Sequence, residues 1–417
     1  MMFNIWNDFP QKPLPELLDF IVDNRGKTVP TVSQEDACEI VLIATNCIRN
    51  ENLYPVYEKV RYISKETYEN WFRAHPICGD IIFVNKGTPG RICFCPENID
   101  FCIAQDMMAF RVNSSVIYNK YLFAVLRSRE MQEQIRITSV GDTIPHFKKE
   151  FLKELTIPVP PADIQLIIGD YYFKLSEKIE LNKKINENLE QQAQALFKAW
   201  FVDFEPFGGV MPESMKLIPL QELCEVVTKG TTPTTLGKTF IEKGINFLKA
   251  ESILPTHSFD RGKFAYIDDE TNVILKRSII KSGDIVFTIA GTLGRFALVD
   301  DTIIPANTNQ AVSIIRANQK IVSPEYLFSF FIGNWHNDYY NKRVQQAVQA
   351  NLSLTTIKSL PIAVLAECDM KRYNELITPL IRTMKANESE NNYLAVLRDT
   401  LLPKLMNGEI DVSAVKI

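Results

Sequence analysis

The stretch that decides the fold is CGDIIFVNKGTPGR at residues 78–91, because it returns as SGDIVFTIAGTLGR at residues 282–295. The residues that are identical 204 positions further on include Gly79, Asp80, Phe83, Gly87, Thr88, Gly90 and Arg91. A match of this kind at one fixed spacing indicates an internal duplication rather than chance. The chain therefore contains two copies of one unit.

The duplication extends over almost the whole chain. After residue 91 the spacing becomes 205, and it then pairs Gln105 with Gln310, Arg111 with Arg316, and Tyr121 with Tyr326. Near the end of each copy, LKELTIPV at 152–159 matches IKSLPIAV at 357–364. Each copy is therefore about 160 residues of related sequence followed by a different kind of segment.

Each copy is predicted to be a mixed α and β domain. Short runs of β-branched and aromatic residues, such as DIIFV, ICFC and MMAFRV, indicate strands. YNKYLFAVLRSREMQEQI at 118–135 indicates one helix, as does its counterpart in the second copy. The closing strand should stop at Pro158, because proline cannot donate to a strand ladder. Together these patterns predict the α+β class.

The segment after each copy is predicted to be a long amphipathic helix. Residues 163–201 contain no proline and only one glycine, and their apolar residues recur three and four apart. The stripe of the first helix comprises Ile168, Tyr171, Leu175, Ile185, Leu189, Leu196 and Trp200. The stripe of the second comprises Tyr373, Leu376, Leu380, Leu394, Leu397 and Leu401. Because an entire domain joins the two helices, we expect their stripes to pack as an antiparallel coiled coil with approximate two-fold symmetry.

Two asparagines interrupt these stripes at equivalent places, Asn182 and Asn387. They either form a buried polar layer that fixes the register of the helices or face solvent. We predict four segments, which are a first domain at 1–160, a helix at 161–205, a second domain at 206–364 and a helix with its tail at 365–417.

Two further stretches resemble a known family. NLEQQAQALFKAWFVDFEPF at 188–207 is similar to the central conserved region of the specificity (S) subunits of Type I restriction-modification systems. LRDTLLPKLMNGEIDVS at 397–413 is similar to their C-terminal conserved region. The second copy departs from the family pattern in closing with PIAVLAE and in carrying Pro403, which we expect to bend or break the last turn of its helix.

The resemblance implies a DNA sequence-recognition subunit with two target-recognition domains. Each domain would read one half of a bipartite, asymmetric target in double-stranded DNA. The partners would be two methyltransferase (M) subunits and, through the complex, restriction and translocase (R) subunits. A duplicated protein-protein scaffold that never touches DNA is the alternative that we consider.

Composition limits the other possibilities. The chain has 417 residues, of which 46% are hydrophobic and 23% charged, as in globular domains. Neither a signal-like N-terminus nor an apolar run of about 18 residues occurs, so we expect a cytoplasmic protein without a membrane span. The net charge of −4 argues against DNA binding, because lysine and arginine supply most phosphate contacts. That objection weakens if acidic residues lie on the helices and a partner supplies basic surface.

No pattern for catalysis or cofactor binding is found in the sequence. There is no G-x-G-x-x-G after a strand and no aromatic-proline tetrad of an amino-methyltransferase. TTPTTLGKT at 231–239 ends like a phosphate loop, but Thr232 stands where its first glycine must be. We therefore expect a protein that is not an enzyme and that binds no cofactor.

Metal binding is also not predicted. The four cysteines Cys78, Cys93, Cys95 and Cys102 lie in one stretch, but Cys93 and Cys95 alternate along a strand-like run, which favours small buried thiols. The four histidines, His75, His146, His257 and His336, lack metal-ligand spacing.

The candidate DNA-contacting residues lie in polar loops at predicted strand ends. In the first copy they are Arg25, Lys27, Thr28, Lys86, Thr88, Arg91, Gln105, Thr143 and His146. In the second copy they are Lys229, Thr231, Thr232, Thr292, Arg295, Gln310, Asn351 and Ser353. Arginine can pair with guanine, and glutamine or asparagine with adenine, through two hydrogen bonds. Readers of sequence should differ between the copies, so the shared Arg91 and Arg295 favour backbone or structural contacts.

The candidate partner-binding residues are apolar positions near the ends of the two helices. They are Leu196, Phe197, Trp200, Phe201, Phe204, Leu401, Leu402, Leu405 and Met406. They would dock the M subunits, or they would pack into the core of the neighbouring recognition domain.

Overall fold

The computed structural model describes residues 4–24, 26, 28–141, 143–334, 339 and 351–411. The chain divides into two compact units. Unit 1 comprises Met1–Leu181 with Asn391–Ile417, and unit 2 comprises Asn182–Glu390. Each unit therefore contains one copy of the repeat together with one half of each long helix.

Unit 1 contains a four-stranded antiparallel sheet, a three-stranded sheet and a two-stranded ribbon. Its strands are β1 Gln11–Pro13, β2 Leu18–Val22, β3 Val41–Ile43, β4 Arg61–Tyr62, β5 Ile81–Val84, β6 Ile92–Phe94, β7 Phe101–Ile103, β8 Met107–Val112 and β9 Thr156–Pro158. The four-stranded sheet has the order β2-β8-β5-β6, the three-stranded sheet β4-β3-β7, and the ribbon pairs β1 with β9. The closing strand ends at Pro158, as predicted.

Unit 2 repeats this arrangement strand for strand. Its strands are β10 Lys216–Pro219, β11 Cys224–Lys229, β12 Ile245–Leu248, β13 Ala265–Ile267, β14 Ile285–Thr288, β15 Phe296–Leu298, β16 Ala306–Thr308, β17 Val312–Ala317 and β18 Pro361–Val364. The corresponding orders are β11-β17-β14-β15, β13-β12-β16 and β10 with β18. The same topology in both units confirms the duplication that the sequence predicts.

Strands β5 and β14 run through the centre of their units. All four residues of each strand are buried. In unit 1, Ile81 and Phe83 join the core beneath the helices, whereas Ile82 and Val84 join a second core on the other face. A strand that is covered on both faces has no polar alternation. This explains why DIIFV reads as a continuous apolar run.

Five of the seven short helices in the described ranges contribute buried residues to the core on one face of a four-stranded sheet, and two lie beside the three-stranded sheets. The seven are α1 Ile5–Asp8, α2 Lys65–Asn70, α3 Asn119–Arg127, α4 Arg129–Thr138, α6 Asp269–Ile274, α7 Pro324–Ile332 and α8 Leu354–Lys358. The prediction of one helix at 118–135 was wrong, because Ser128 separates α3 from α4. Ser128 has extended backbone angles, and its hydroxyl accepts from the amide of Met131 at 3.3 Å, so it caps a new helix.

Both long helices are present as predicted. They are α5 Ala162–Phe201 and α9 Glu367–Met406, each of 40 residues. Helix α9 continues past Pro403 to Met406, so the expected break at this proline does not occur. The amide of Asn407 donates to the carbonyl of Pro403 at 2.8 Å, which is the bonding pattern of a continuing helix.

The halves of α5 and α9 pack antiparallel within each unit. In unit 1, Ile168 and Tyr172 share a core with Leu402 and Leu405. In unit 2, Asn182 contacts Glu390, and the ring of Phe201 lies 5.0 Å from that of Tyr373. The buried face between the two helices differs in part from the predicted stripes. Ile185 and Leu376 belong to those stripes, but they are 38% and 50% exposed.

A layer of asparagines lies in the part of the helix pair that belongs to unit 2. Asn182 is only 1% exposed, and its side-chain amide donates to the carboxylate of Glu390 at 2.7 Å. Asn387 donates to Asn186 at 2.8 Å, and Asn186 donates to the carbonyl of Met384 at 3.0 Å. Of the two alternatives for Asn182 and Asn387, the structure has the polar layer inside the helix pair.

Each unit also contains an ion pair at an equivalent place in its sheet. The carboxylate of Asp80 accepts from Arg111 at 2.9 Å, and that of Asp284 accepts from Arg316 at 2.7 Å. Both aspartate side chains are almost fully buried. The recurrence of these residues in the repeat therefore has a structural cause.

Among the described residues, no helix is long and apolar enough to cross a membrane.

Candidate nucleic-acid interface

The loops that carry the candidate DNA-contacting residues leave one edge of each four-stranded sheet. In unit 1, Val22 at the end of β2 pairs with Ala109, close to the start of β8. Val84 at the end of β5 pairs with Met107, and Phe83 pairs with Ile92 at the start of β6. In an antiparallel sheet, the end of one strand lies beside the start of its neighbour. Four chain ends therefore meet at the same edge.

Hydrogen bonds between backbones hold the loops of unit 1 together. The amide of Phe147 donates to the carbonyl of Asn85 at 2.7 Å, and that of Gly87 donates to Pro145 at 2.9 Å. The amide of Asn85 donates to Asp106 at 3.0 Å. Three segments that are far apart in sequence are thus joined, which brings Lys86, Gln105 and His146 into one cluster, here called loop cluster 1.

A buried asparagine fixes the remaining loop of unit 1. Asn24 is 3% exposed, and its side-chain amide donates to the carbonyls of Ala74 at 2.9 Å and Ile103 at 3.1 Å. The loop that begins here carries Thr28. Arg25 and Lys27 lie outside the described residues.

The candidate DNA-contacting side chains of unit 1 differ in exposure. Thr28, Lys86, Arg91 and Thr143 are exposed, whereas Thr88, Gln105 and His146 are half-buried. The imidazole Nε2 of His146 lies 3.4 Å from the side-chain nitrogen of Asn85. This contact orients the ring within the cluster.

Unit 2 joins its loops through equivalent bonds. The amide of Leu352 donates to the carbonyl of Ile289 at 2.9 Å, as Phe147 does to Asn85 in unit 1. Ile289 in turn donates to Ala311 at 2.8 Å, and Gly230 donates to Asn309 at 3.1 Å. These bonds assemble four segments, here called loop cluster 2.

Several side chains of loop cluster 2 hold the loops in place. The carbonyl oxygen of Gln310 accepts from the amide of Thr232 at 3.2 Å and also from its hydroxyl. Thr292 donates to the carbonyl of Ala250, and Arg295 donates to that of Ile253. Ser353 caps α8 by accepting from the amide of Thr356 at 3.0 Å.

The candidate side chains of loop cluster 2 also differ in exposure. Lys229, Gln310, Asn351 and Ser353 are exposed, whereas Thr231, Thr232, Thr292 and Arg295 are half-buried. Arg295 is engaged with the backbone of its own unit, in line with the structural contact expected for the shared arginine.

The shared turn in each cluster requires glycine. Gly87 and Gly90 have φ values of 84° and 90°, and their counterparts Gly291 and Gly294 have values of 77° and 81°. Residues with a Cβ rarely adopt positive φ. The prediction that these glycines serve a tight turn is confirmed.

Most candidate partner-binding residues are buried inside a unit. Phe197, Trp200 and Phe201 belong to a core of unit 2, and Leu402, Leu405 and Met406 belong to a core of unit 1. This is the alternative in which they pack on the neighbouring domain. Leu196, Phe204 and Leu401 remain partly exposed.

The described residues include no group of three or more histidine, cysteine or acidic side chains that could hold a metal. Cys93, Cys95 and Cys102 are buried, and burial raises the pKa of the Cys102 thiol to about 12. Buried protonated thiols are poor ligands and nucleophiles. His336 lies outside the described residues.

Comparison with known proteins identifies this arrangement. The family model for the Type I restriction modification DNA specificity domain matches residues 14–191 and again residues 212–392. The chain belongs to this Type I specificity family. The two matches coincide with the two copies of the repeat.

Relatives in the Type I specificity family match most of the chain. The HindI specificity subunit of Haemophilus influenzae is 24% identical over 408 residues, which cover 80% of this chain and 86% of the relative. The MjaIX specificity subunit of Methanocaldococcus jannaschii is 26% identical over 314 residues, covering 71% and 70%. The crystal structure of a Type I S subunit from M. genitalium covers 96% of both chains, with a TM-score of 0.55 and 16% identity. This last likeness shows a shared fold.

Two asparagines that position the loops were missed in the sequence. Asn24 and Asn85 lie next to candidate residues, yet neither is identical in the second copy, where Thr228 and Ile289 stand. A comparison of the two copies for identical residues therefore does not find them. The feature that could have indicated them is a polar residue at the end of an apolar strand.

Proposed function

We propose that this chain is the DNA-reading specificity subunit of a Type I restriction-modification complex. Each unit reads one half of a bipartite, asymmetric target through its loop cluster. The observation that carries this proposal is that both units present the same backbone framework of joined loops but different side chains on it.

The differences between the clusters fall at equivalent positions. Lys86 is replaced by Ala290, and His146 is replaced by Asn351. One framework with two sets of donors and acceptors suits recognition of two unlike base sequences. Residues that the copies share, such as Thr88 and Arg91, are assigned to phosphates or to the framework, because contacts to the backbone carry no sequence information.

The polar residues that differ between the two loop clusters are the proposed readers of bases. In unit 2 they are Lys229, Thr231 and Asn351, and in unit 1 they are Arg25, Lys27, Lys86, Thr143 and His146. Thr28 and Gln105 recur in unit 2 as Thr232 and Gln310, so these four residues are assigned to phosphates or to the framework. The amide nitrogen of Gln310 can still donate to a phosphate, because the bonds from Thr232 use its oxygen.

The charge balance bears on how tightly the chain alone would bind. Helix α5 carries six acidic and five basic residues, and α9 carries six of each. The helices therefore account for little of the net charge of −4. We infer that basic surface on partner subunits contributes much of the phosphate attraction.

The proposed partners are M subunits, with R subunits joining through the complex. Leu196, Phe204 and Leu401 are the candidate residues that a partner could reach, since the other six are buried. We propose no catalytic role for the chain itself and expect the chemistry to be done by these partners.

Binding to duplex DNA tests the proposal. The observed affinity should fall steeply with salt, with log K against log[salt] decreasing by about 0.9 for each phosphate contacted. Mapping methylated sites in cells with and without the gene should reveal one interrupted motif that depends on it. A protein scaffold would show neither the salt slope nor the motif, and such a result would refute the proposal.

A further inference from the structure

An arginine recurs in both units at a place that no recognised motif covers. Arg73 precedes Gly79 by six residues, and Arg277 precedes Gly283 by the same distance. Both side chains are exposed. The duplication has therefore kept a surface arginine, although the segments around it have diverged.

In unit 1 the backbone of Arg73 is fastened to the loop that follows β2. Its amide donates to the side-chain oxygen of buried Asn24 at 2.9 Å. Its guanidinium Nη1 donates to the carbonyl of Asp23 at 3.4 Å. A Cβ added to Gly26 would lie 3.8 Å from Nη2, so the guanidinium lies against the middle of this loop.

In unit 2 Arg277 reaches the equivalent loop. Its Nη2 donates to the carbonyl of Lys229 at 3.4 Å and to the hydroxyl of Thr231 at 3.5 Å. Both arginines thus lie beside the loop cluster of their own unit. Long contacts of this kind leave most of the five guanidinium N–H donors available to a ligand.

The other recurring arginines provide a contrast. Arg111 and Arg316 each bind a buried aspartate, so their charge is neutralised inside the unit. Within the described ranges, no carboxylate forms an ion pair with Arg73 or Arg277. An exposed cation without a carboxylate partner, beside a proposed DNA-reading loop, is suited to bind an anion.

We propose that Arg73 and Arg277 each bind a phosphodiester of the DNA backbone, one at each half-site. This inference rests on the function proposed above. An identical residue in both units cannot distinguish unlike half-sites, so its contact is with phosphate and sets the position of the loop cluster on the duplex. The guanidinium fork matches the two oxygens of a phosphate.

The test measures the salt dependence of DNA binding by the full chain in complex with its modification subunits. The probes are a fluorescent duplex of random sequence and one that carries the mapped methylation motif. R73Q and R277Q should each reduce the slope of log K against log[salt] by about 1, and the double variant by about 2. The ratio of affinities for the two probes should stay unchanged.

Two matched variants serve as controls. R277K keeps the charge and should retain most of the slope, because lysine can bind phosphate as a point charge. R382Q removes another exposed arginine of unit 2, one that pairs with Glu325 in α7, and should leave the slope unchanged. Thermal melting of each variant verifies that the exposed substitutions leave the fold intact.

The outcomes separate this inference from the proposed function. A steep slope in the unsubstituted complex that R73Q and R277Q leave unchanged would overturn the arginine proposal alone. Loss of discrimination at a single base, with the slope preserved, would assign the arginines to base reading and overturn it too. An unsubstituted complex without any salt slope would refute the proposed function as well.

Discussion

At the scale of the residue, the paired aspartates show how the repeat preserves stability. Asp284 accepts from both Nε and Nη2 of Arg316 at 2.7 Å and from the amide of Lys281 at 2.8 Å. Asp80 makes the equivalent bonds to Arg111 and Ile77. A carboxylate with this many donors is costly to remove, because the guanidinium is left without its counter-charge.

Replacing Asp284 by asparagine should therefore destabilise unit 2. We expect D284N to lower the free energy of unfolding by about 3–5 kcal/mol, the range for breaking a buried ion pair. D80N should cost less, because the side chain of Arg111 is 30% exposed and that of Arg316 only 19%. Chemical denaturation measures both.

The exposed pair of Lys65 and Glu69 supplies the control for this prediction, since both side chains are more than half exposed. E69Q should change the free energy of unfolding by less than about 1 kcal/mol, because solvent screens the pair. If D284N proved as mild as E69Q, the structural role given to the buried pair would be wrong.

A second residue, Gly230, limits how the loops of unit 2 can pack. A Cβ at this position would lie 1.8 Å from the carbonyl oxygen of Thr308, which is far inside contact distance. G230A should displace the loop that carries Thr231 and Thr232 and weaken duplex binding about tenfold, equivalent to about 1.4 kcal/mol. Fluorescence anisotropy with duplex DNA measures the change.

Gly262 provides the matched substitution. The nearest atom to its added Cβ is the side-chain oxygen of Asp260 at 3.3 Å, which can move aside. G262A should bind DNA like the unsubstituted chain. Equal affinity of G230A and G262A would show that the position of the Gly230 loop does not matter for binding.

Whether the role of a single residue can be predicted from the sequence depends on whether its backbone or its neighbours determine that role. Gly87 and Gly90 were predictable, because a positive φ leaves glycine as the common solution in both copies. The burial of Trp200 and Leu405 was not, because an apolar residue at a helix end reads the same whether it packs inward or faces a partner.

At the scale of the element, the asparagine layer of the helix pair is testable. The side-chain amide of Asn387 donates to the side-chain oxygen of Asn186 across the two helices at 2.8 Å. A double-mutant cycle with N186A and N387A should give a coupling energy of about 0.5–1.5 kcal/mol, the usual net value of one hydrogen bond. If the losses in free energy of unfolding of the two single variants were strictly additive, the hydrogen bond between Asn186 and Asn387 would contribute nothing to the stability of the helix pair.

The elements themselves were largely predictable, but their packing was less so. Runs such as DIIFV predicted β5, and the apolar spacing predicted α5 to within one residue at its start. The spacing did not identify Ser176 and Asn182 as buried, because burial follows from what the neighbouring element presents. The break at Ser128 was missed for a related reason, since a serine inside an apolar pattern resembles a solvent-facing residue until its capping bond is known.

At the scale of the whole molecule, we propose that α5 and α9 set the gap between the two half-sites. This proposal predicts a specific change in the methylated motif. Inserting four residues after Glu187 and four after Ala386 adds about 6 Å to each helix. This length corresponds to between one and two base pairs at about 3.4 Å each. The methylated motif should then show a gap that is longer by one or two positions.

An insertion elsewhere separates this effect from general disturbance. Four residues placed after Gly209, in an exposed loop, should leave the motif unchanged. An unaltered gap in the helix variant, with methylation retained, would remove the helices from any role in spacing.

Methylation mapping with a variant altered in loop cluster 2 alone shows whether each unit reads one half-site. Lys229, Thr231 and Asn351 would all be replaced by alanine, and modified sites would be sequenced across the genome. We expect one half of the interrupted motif to relax or change, while the other half and the gap stay as they were. Simultaneous change in both halves, or an unchanged motif, would contradict the assignment of one half-site to each unit.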